Sequence, residues 1–470
     1  MSIKQNILAK MLLIAALASS IASGAEPQAI DKGKVIDKVI CRSDSEQSYA
    51  LFLPSGYSQD KRWPVVYCFD PGARGRLPVE RFKDAAEKYG YIIVGSNNSR
   101  NGPTEVGLAA IKAMLDDTQA RFSVDPRRIY MAGFSGGARV ASSIGSALGG
   151  ATAGVIACGA GFPPGLSPSR SIPFPLFGTA GTEDFNFPEV KQLSRALDGY
   201  AIANRVAIFE GGHDWPPAAL CMEAIEWMEL QAMKSARRAK DEQLIAELFN
   251  KRAERARAFE ASKKTYEAFL EYDAIAADFK GLKDAAEFEK RAGELKESKE
   301  VKLALKQEQE IEKEQRRRAG ELYALKASLK DPETGEITLA DLKRNIANLK
   351  KKSDDKEATG EKIVARRVLN QFFILLYEES RILLSRKMYE QAAEDLSIAT
   401  IIAPDNPRLL YNLACAYSLN KDKGRAIEAL KRSVEKGFHD VAALESDKDL
   451  EPLREDASYK RIIEDLKKKS

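Results

Sequence analysis

Between residues 33 and 235 eight short apolar runs alternate with amphipathic stretches, and few architectures can satisfy that alternation. The runs are 35–41, 49–53, 64–69, 91–95, 128–132, 154–158, 174–179 and 205–209, with helical patterns at 79–89, 106–122, 138–147, 189–200 and 218–233. Strands that are apolar on both faces must be covered on both sides, and a helix between successive strands returns the chain to run parallel. The expected fold class is therefore α/β, with a mainly parallel, covered sheet.

Hydrophobic residues make up 44% of the 470-residue chain and charged residues 30%, too much apolar material for a disordered chain. The length calls for two or three domains. Lys+Arg 73 against Asp+Glu 69 leaves a net charge of +4. So balanced a chain offers no general attraction for nucleic acid or an anionic membrane, and neither is expected as a partner. Two distant histidines, His213 and His439, and five scattered cysteines without a C-x-x-C pair supply no zinc or iron–sulfur ligand set. No metal or cofactor is expected. Cys68 and Cys158 fall inside apolar runs and read as buried thiols, and no disulfide is inferred.

Residues 1–25 carry Lys4 and Lys10, an apolar run at 11–18, and small residues at Ser23 and Ala25. That is the layout of a secretory signal peptide cut before Glu26, because the run is shorter than the ~20 residues a membrane span requires. Export to a bacterial periplasm or beyond is expected, with no membrane span after cleavage. A domain of residues 26–236 follows.

The grammar changes after residue 236. Residues 241–320 hold 37 charged side chains, 18 basic and 19 acidic, and no proline. Ile245, Phe249, Ala256, Phe259, Tyr266, Phe269 and Leu270 keep helical spacing among them. Region 237–330 therefore reads as salt-bridge-laced helices, a hairpin or coiled coil held out as an arm. Asp331-Pro-Glu-Thr-Gly335 breaks it, and 331–365 reads as a linker with a short helix. Within 366–470, Leu376, Leu383, Ala392, Leu396, Ala399 and Pro404 recur 34 positions later as Leu410, Tyr417, Ala426, Leu430, Ser433 and Phe438. That period resembles the tetratricopeptide repeat, which implies helix pairs that bind a protein partner or mediate self-association. Leu413-Ala414 fits the repeat's Leu-small pair; Glu379-Ser380 in the first copy departs from it.

Gly133-Phe-Ser135-Gly136-Gly137 lies between a strand run and a helical run, the setting of a nucleophile elbow that lifts a serine above the sheet edge. A serine needs a base, and the base needs an orienting acid. His213 sits in Gly211-Gly-His-Asp-Trp215, directly after the last strand run, and Asp184 follows the seventh, with Glu183 as its rival. The order Ser135, Asp184, His213 is that of α/β-hydrolases rather than of other serine-triad folds.

Over about 200 residues the chain thus resembles the α/β-hydrolase superfamily, most closely secreted serine esterases such as dienelactone hydrolases and polyhydroxyalkanoate depolymerases. The resemblance implies ester hydrolysis through an acyl-enzyme, with Ser135 as nucleophile, His213 as base and Asp184 as acid. It also implies an oxyanion hole of the Gly136 N–H and a second donor after the third strand. In Phe69-Asp-Pro-Gly72-Ala73-Arg74, Pro71 cannot donate, which leaves Gly72 or Ala73. Arg74 could meet an acidic substrate group or simply be solvated. Segment 159–172 is too short for a helical lid, so an open site for a small or polymeric acyl ester is expected, walled by Phe134, Phe185 and Trp215. Two other readings use the same residues: a non-catalytic repeat scaffold, and a peptidase on the same fold. On the esterase reading residues 241–470 are not needed for catalysis.

Overall fold

The computed structural model describes residues 30–102, 104–329, 339–357 and 359–469. The signal-like segment 1–25 and the break at 331–335 lie outside them. Strands β1 (Val35–Cys41), β2 (Asp44–Phe52), β3 (Trp63–Phe69), β4 (Ile92–Ser96), β5 (Val124–Phe134), β6 (Thr152–Cys158), β7 (Leu176–Gly181) and β8 (Asn204–Phe209) form one sheet. Its order is β1-β2-β4-β3-β5-β6-β7-β8. β1 and β2 run antiparallel to their neighbours, and every pair from β4 to β8 is parallel.

The helices α1 (Arg76–Tyr89), α2 (Thr104–Arg121), α3 (Gly136–Leu148), α4 (Phe187–Gly199) and α5 (Ala218–Lys234) cover both faces. Successive side chains of a strand point to opposite faces, and β3 shows the result. Val65, Tyr67 and Phe69 pack with Met114 of α2, Ala138 of α3 and Leu193 of α4. Val66 and Cys68 pack on the other side with Phe82 of α1 and with Cys221 and Trp227 of α5. Each large apolar side chain so buried contributes about 1.5–3 kcal/mol. The strands end together on the side where parallel sheets carry their sites, so the loops after β3, β5, β6, β7 and β8 are neighbours.

The chain divides into two compact units, Met1–Lys306 and Gln307–Ser470, and not after residue 236. Helices α6 (Glu242–Ala261), α7 (Thr265–Phe279) and α8 (Ala286–Lys296) belong to the first unit. They are neither a free arm nor a coiled coil. Ile245, Leu248, Phe249, Ile275, Phe279 and Phe288 pack with Leu230 and Met233 of α5. A few of the charges that suggested a solvated arm are turned inward. Arg205 of β8 and Arg252 of α6 both reach Asp278 of α7, at 2.9 and 2.5 Å. Arg252 and Arg255 hold Glu271 at 2.8 and 2.7 Å. Glu223 of α5 pairs with Arg205 and Arg255, and Trp227 donates its indole N–H to Asp278 at 2.6 Å. Burial alone would raise the Glu223 carboxyl, but Arg205, Arg255 and Arg252 hold it down at about 2. Three guanidiniums and three carboxylates balance, as buried ions must.

The second unit is all-helical, with α9 (Lys299–Ser328) entering it and α10 (Leu339–Ser353), α11 (Gly360–Ser385), α12 (Tyr389–Ile402), α13 (Pro407–Leu419), α14 (Lys423–Glu435), α15 (Val441–Ser446) and α16 (Ala457–Lys469) following. Residues 34 apart occupy equivalent places in the pairs α11/α12 and α13/α14. Leu376 and Leu410, Ala392 and Ala426, Leu396 and Leu430, and Ala399 and Ser433 are all buried. Asn406 and Asp422 cap α13 and α14 by accepting the Leu409 and Arg425 N–H groups. Glu379, where the first copy departs from the pattern, receives the buried Lys326 of α9, which also reaches Asp395 at 3.0 Å. Among the described residues, no helix is long and apolar enough to cross a membrane.

Removing one partner of a buried ionic cluster leaves uncompensated charge, at a cost of about 3–5 kcal/mol. Asp278→Ala is therefore expected to lower the unfolding free energy of the full chain by about that amount in urea denaturation. A chain ending at residue 236 should lose cooperative unfolding, whereas one ending at 306 should keep it.

Candidate active site

β5 ends at Phe134 and α3 begins at Gly136, leaving Ser135 alone to turn the chain. Its backbone sits at φ 53°, ψ −118°, a strained conformation for a residue with a side chain. Close approach makes the turn possible. A Cβ at Gly137 would fall 1.9 Å from the Phe69 carbonyl oxygen, and one at Gly133 would fall 2.0 Å from that of Gly137. The Ser135 N–H donates to the Cys158 carbonyl at the end of β6, at 2.8 Å. As the first residue of α3, Gly136 has an N–H with no intrahelical acceptor.

Asp184 follows β7 and is fully buried. Its Oδ1 accepts the Asn186 N–H at 2.8 Å and lies 2.9 Å from His213 Nδ1. Glu183 turns its backbone N–H to the Gly211 carbonyl, and it is the Asp184 carboxylate that meets the imidazole. The rings of Phe134 and Phe185 lie 4.5 and 4.3 Å from His213, centroid to centroid, so the imidazole is gripped between them. A methyl added at Gly159 would lie 3.0 Å from both Phe134 and Asp184 and 3.1 Å from His213 Cε1. The strand end that carries Ser135, the acid and the imidazole thus converge on one spot. That arrangement suits nucleophilic acyl transfer: a strained hydroxyl, an oriented imidazole, and a helix N-terminus that favours negative charge.

Two expectations are corrected around the loop after β3. Asp70, 1% exposed, is its centre. Asp70 Oδ1 accepts the Gly72 N–H at 2.8 Å, and its main-chain oxygen accepts the Ala73 N–H at 3.1 Å. Gly72 and Ala73 are thereby committed, and neither N–H is left for an oxyanion. Arg74 grips Asp70 with Nε and Nη2 at 2.8 and 2.9 Å while its side chain stays 56% exposed, so the solvated alternative holds for it. Trp215 donates its indole N–H to Asp70 Oδ2 at 2.9 Å and is 2% exposed. It packs edge-on to Phe82 beneath the site instead of walling it. Phe134 and Phe185 are also buried, and they hold the imidazole rather than line an open cleft.

Sequence reasoning missed Asp70, Asn186 and an ionic clamp on the segment after β6. Arg139, one turn into α3, pairs bidentately with Glu189 of α4 at 2.8 and 2.9 Å and donates to the Phe162 carbonyl at 2.7 Å. Glu189 in turn accepts the Gly161 N–H at 3.0 Å. The only signal in the sequence was the placement of these polar residues at strand and helix ends.

Residues 33–215 match the dienelactone hydrolase family, a stretch that contains Ser135, Asp184 and His213. Together with the eight-stranded sheet, that match makes the first unit a hydrolase domain of the α/β-hydrolase fold. Among solved structures, a ferulic acid esterase is similar at 19% identity, with 42% of this chain and 97% of that one covered and a TM-score of 0.35. An S-formylglutathione hydrolase from Staphylococcus aureus follows at 14% identity, 39% and 90% coverage, and a TM-score of 0.32. A fluorophosphonate-binding serine hydrolase from the same organism gives 14%, 39% and 92%, and 0.33. No curated protein matches the chain.

Asp70 supplies a pH signature. Burial alone would raise its carboxyl, but hydrogen bonds from Arg74, Trp215 and Gly72 outweigh it and hold it below its ordinary value. A carboxyl depressed on folding stabilises fully above its unfolded value, about 3.9, and that contribution is lost as the pH falls through the lower folded value. Asp70→Asn should therefore be less stable than the wild type at pH 7 in urea denaturation. The gap should narrow at pH 3.

Proposed function

Since residues 33–215 carry a dienelactone hydrolase domain, we propose that this protein is an exported serine esterase working through an acyl-enzyme. The observation that carries this reading is the convergence of the strained Ser135 with the hydrogen-bonded Asp184–His213 pair. Ser135 Oγ attacks the ester carbonyl carbon while His213 Nε2 takes the hydroxyl proton. Asp184 keeps the other ring proton on Nδ1, so that Nε2 is the base. The former carbonyl oxygen becomes an oxyanion beside the Gly136 N–H, at the positive end of α3. The bond to the leaving oxygen then breaks as His213 returns its proton there. Water, deprotonated in turn by His213, attacks the acyl group and frees the acid and Ser135.

The segment joining β6 to β7 holds no helix and is pinned by Arg139. It leaves the approach open to a small or polymeric acyl ester. The layout of residues 1–25 supports export, and a mature chain beginning at Glu26 is its expected mark. The 34-residue helix pairs support a tetratricopeptide-like surface for a protein partner or for self-association.

A fluorophosphonate probe should label Ser135 of the full chain, as mapped by mass spectrometry. Ser135→Ala and His213→Ala should each lower kcat on p-nitrophenyl acetate by about 10³-fold or more, non-additively, with unchanged denaturation midpoints. Asp184→Asn should cost orders of magnitude, and Glu183→Gln far less. Labelling at another residue would sink the assignment.

A further inference from the structure

Acyl transfer needs more than one donor at the developing oxyanion, since removing a single one typically costs 10²–10³-fold in kcat. The Gly136 N–H is one. The loop after β3 offers no second: Pro71 has no N–H, those of Gly72 and Ala73 are taken by Asp70, and that of Arg74 leans on Asp70 Oδ1 at 3.4 Å. Gly75 lies over β4, where a Cβ would fall 2.3 Å from the Gly95 carbonyl oxygen. The donor must come from elsewhere.

The loop after β4 reaches across. Arg100 forms a β-bridge with Gly72, and the Asn101 N–H donates to the Pro71 carbonyl at 2.9 Å. This stitching carries the Asn101 carboxamide over to the elbow. A Cβ at Gly136 would fall 1.9 Å from Asn101 Oδ1, 2.8 Å from Cγ and 3.1 Å from Nδ2. The carboxamide therefore lies against the Cα of the residue whose N–H is the first donor. Its terminal torsion is broad and two-fold, so a turn about Cβ–Cγ presents the amide N–H₂ in place of the oxygen.

Resting on Ser135 as the nucleophile, we propose that Asn101 supplies the second donor of the oxyanion hole through its side-chain Nδ2. As the Ser135 oxygen bonds to the carbonyl carbon, the carbonyl π electrons move onto oxygen. The Gly136 N–H and Asn101 Nδ2–H then share that charge, and no proton is transferred to it. A glycine at 136 is required here because any side chain would occupy the space of the carboxamide.

The test uses the full chain, p-nitrophenyl acetate and a fluorophosphonate probe. Asn101→Ala should lower kcat by about 10²–10³-fold with little change in KM, because the lost interaction forms only in the transition state. Asn101→Asp keeps the shape but carries no N–H and adds negative charge, so its kcat should fall at least as far. The probe's phosphoryl oxygen occupies the same hole, so labelling of Ser135 should slow in parallel in both variants. Should Asn101→Ala unfold, the isosteric Asp variant decides. An Asn101→Asp protein that keeps kcat within about threefold of the wild type while Ser135 is still labelled would overturn this assignment and leave the esterase reading intact. A wild-type chain whose Ser135 takes no label would overturn both.

Discussion

Ser135 holds a backbone conformation that costs on the order of 1–3 kcal/mol and survives only where its surroundings leave no alternative. Here they leave none. The Ser135 N–H is bonded to the end of β6, Gly137 sits against the end of β3, and Gly133 sits against Gly137 itself. The elbow is thus clamped between two strands, and the sheet beneath it must be complete and in register for the serine to be aimed at all. Everything else at the site is arranged around that fixed point.

A second constraint lies under the site. Asp70 gathers the Gly72 N–H, the Arg74 guanidinium and the Trp215 indole at one buried carboxylate. It joins the loop after β3 to the loop carrying His213, two residues before Trp215. The same carboxylate that stiffens the floor also uses up the donors that the loop would otherwise lend to chemistry. Stiffness was gained there at the expense of free backbone donors.

The sheet and the order Ser135, Asp184, His213 were legible because their signals are local. Apolar runs of strand length, glycines packed around one serine, and a histidine just past the last strand can each be read within ten residues. What was not legible depends on partners far apart in the chain. Trp215 looked like a wall until its partner, 145 residues away, proved to be a buried aspartate. The helices beyond residue 236 looked solvated because a sequence does not show which way charges face. Arg252, Glu271 and Asp278 are as charged as any surface residue, yet each is less than 8% exposed. Gly72 was the reasonable donor from sequence, and only the geometry of Asp70 removes it.

That inward-facing cluster also sets an order of assembly. Arg205 lies on the last strand of the sheet; Glu223 of α5 reaches it, and Asp278, its other partner, comes 73 residues later. During synthesis the sheet and α5 can be spelled out in full while the second carboxylate for that guanidinium is still to come. His213 follows that same edge strand. That edge is therefore fully paired only after α7 has emerged, well after residue 213 has been made.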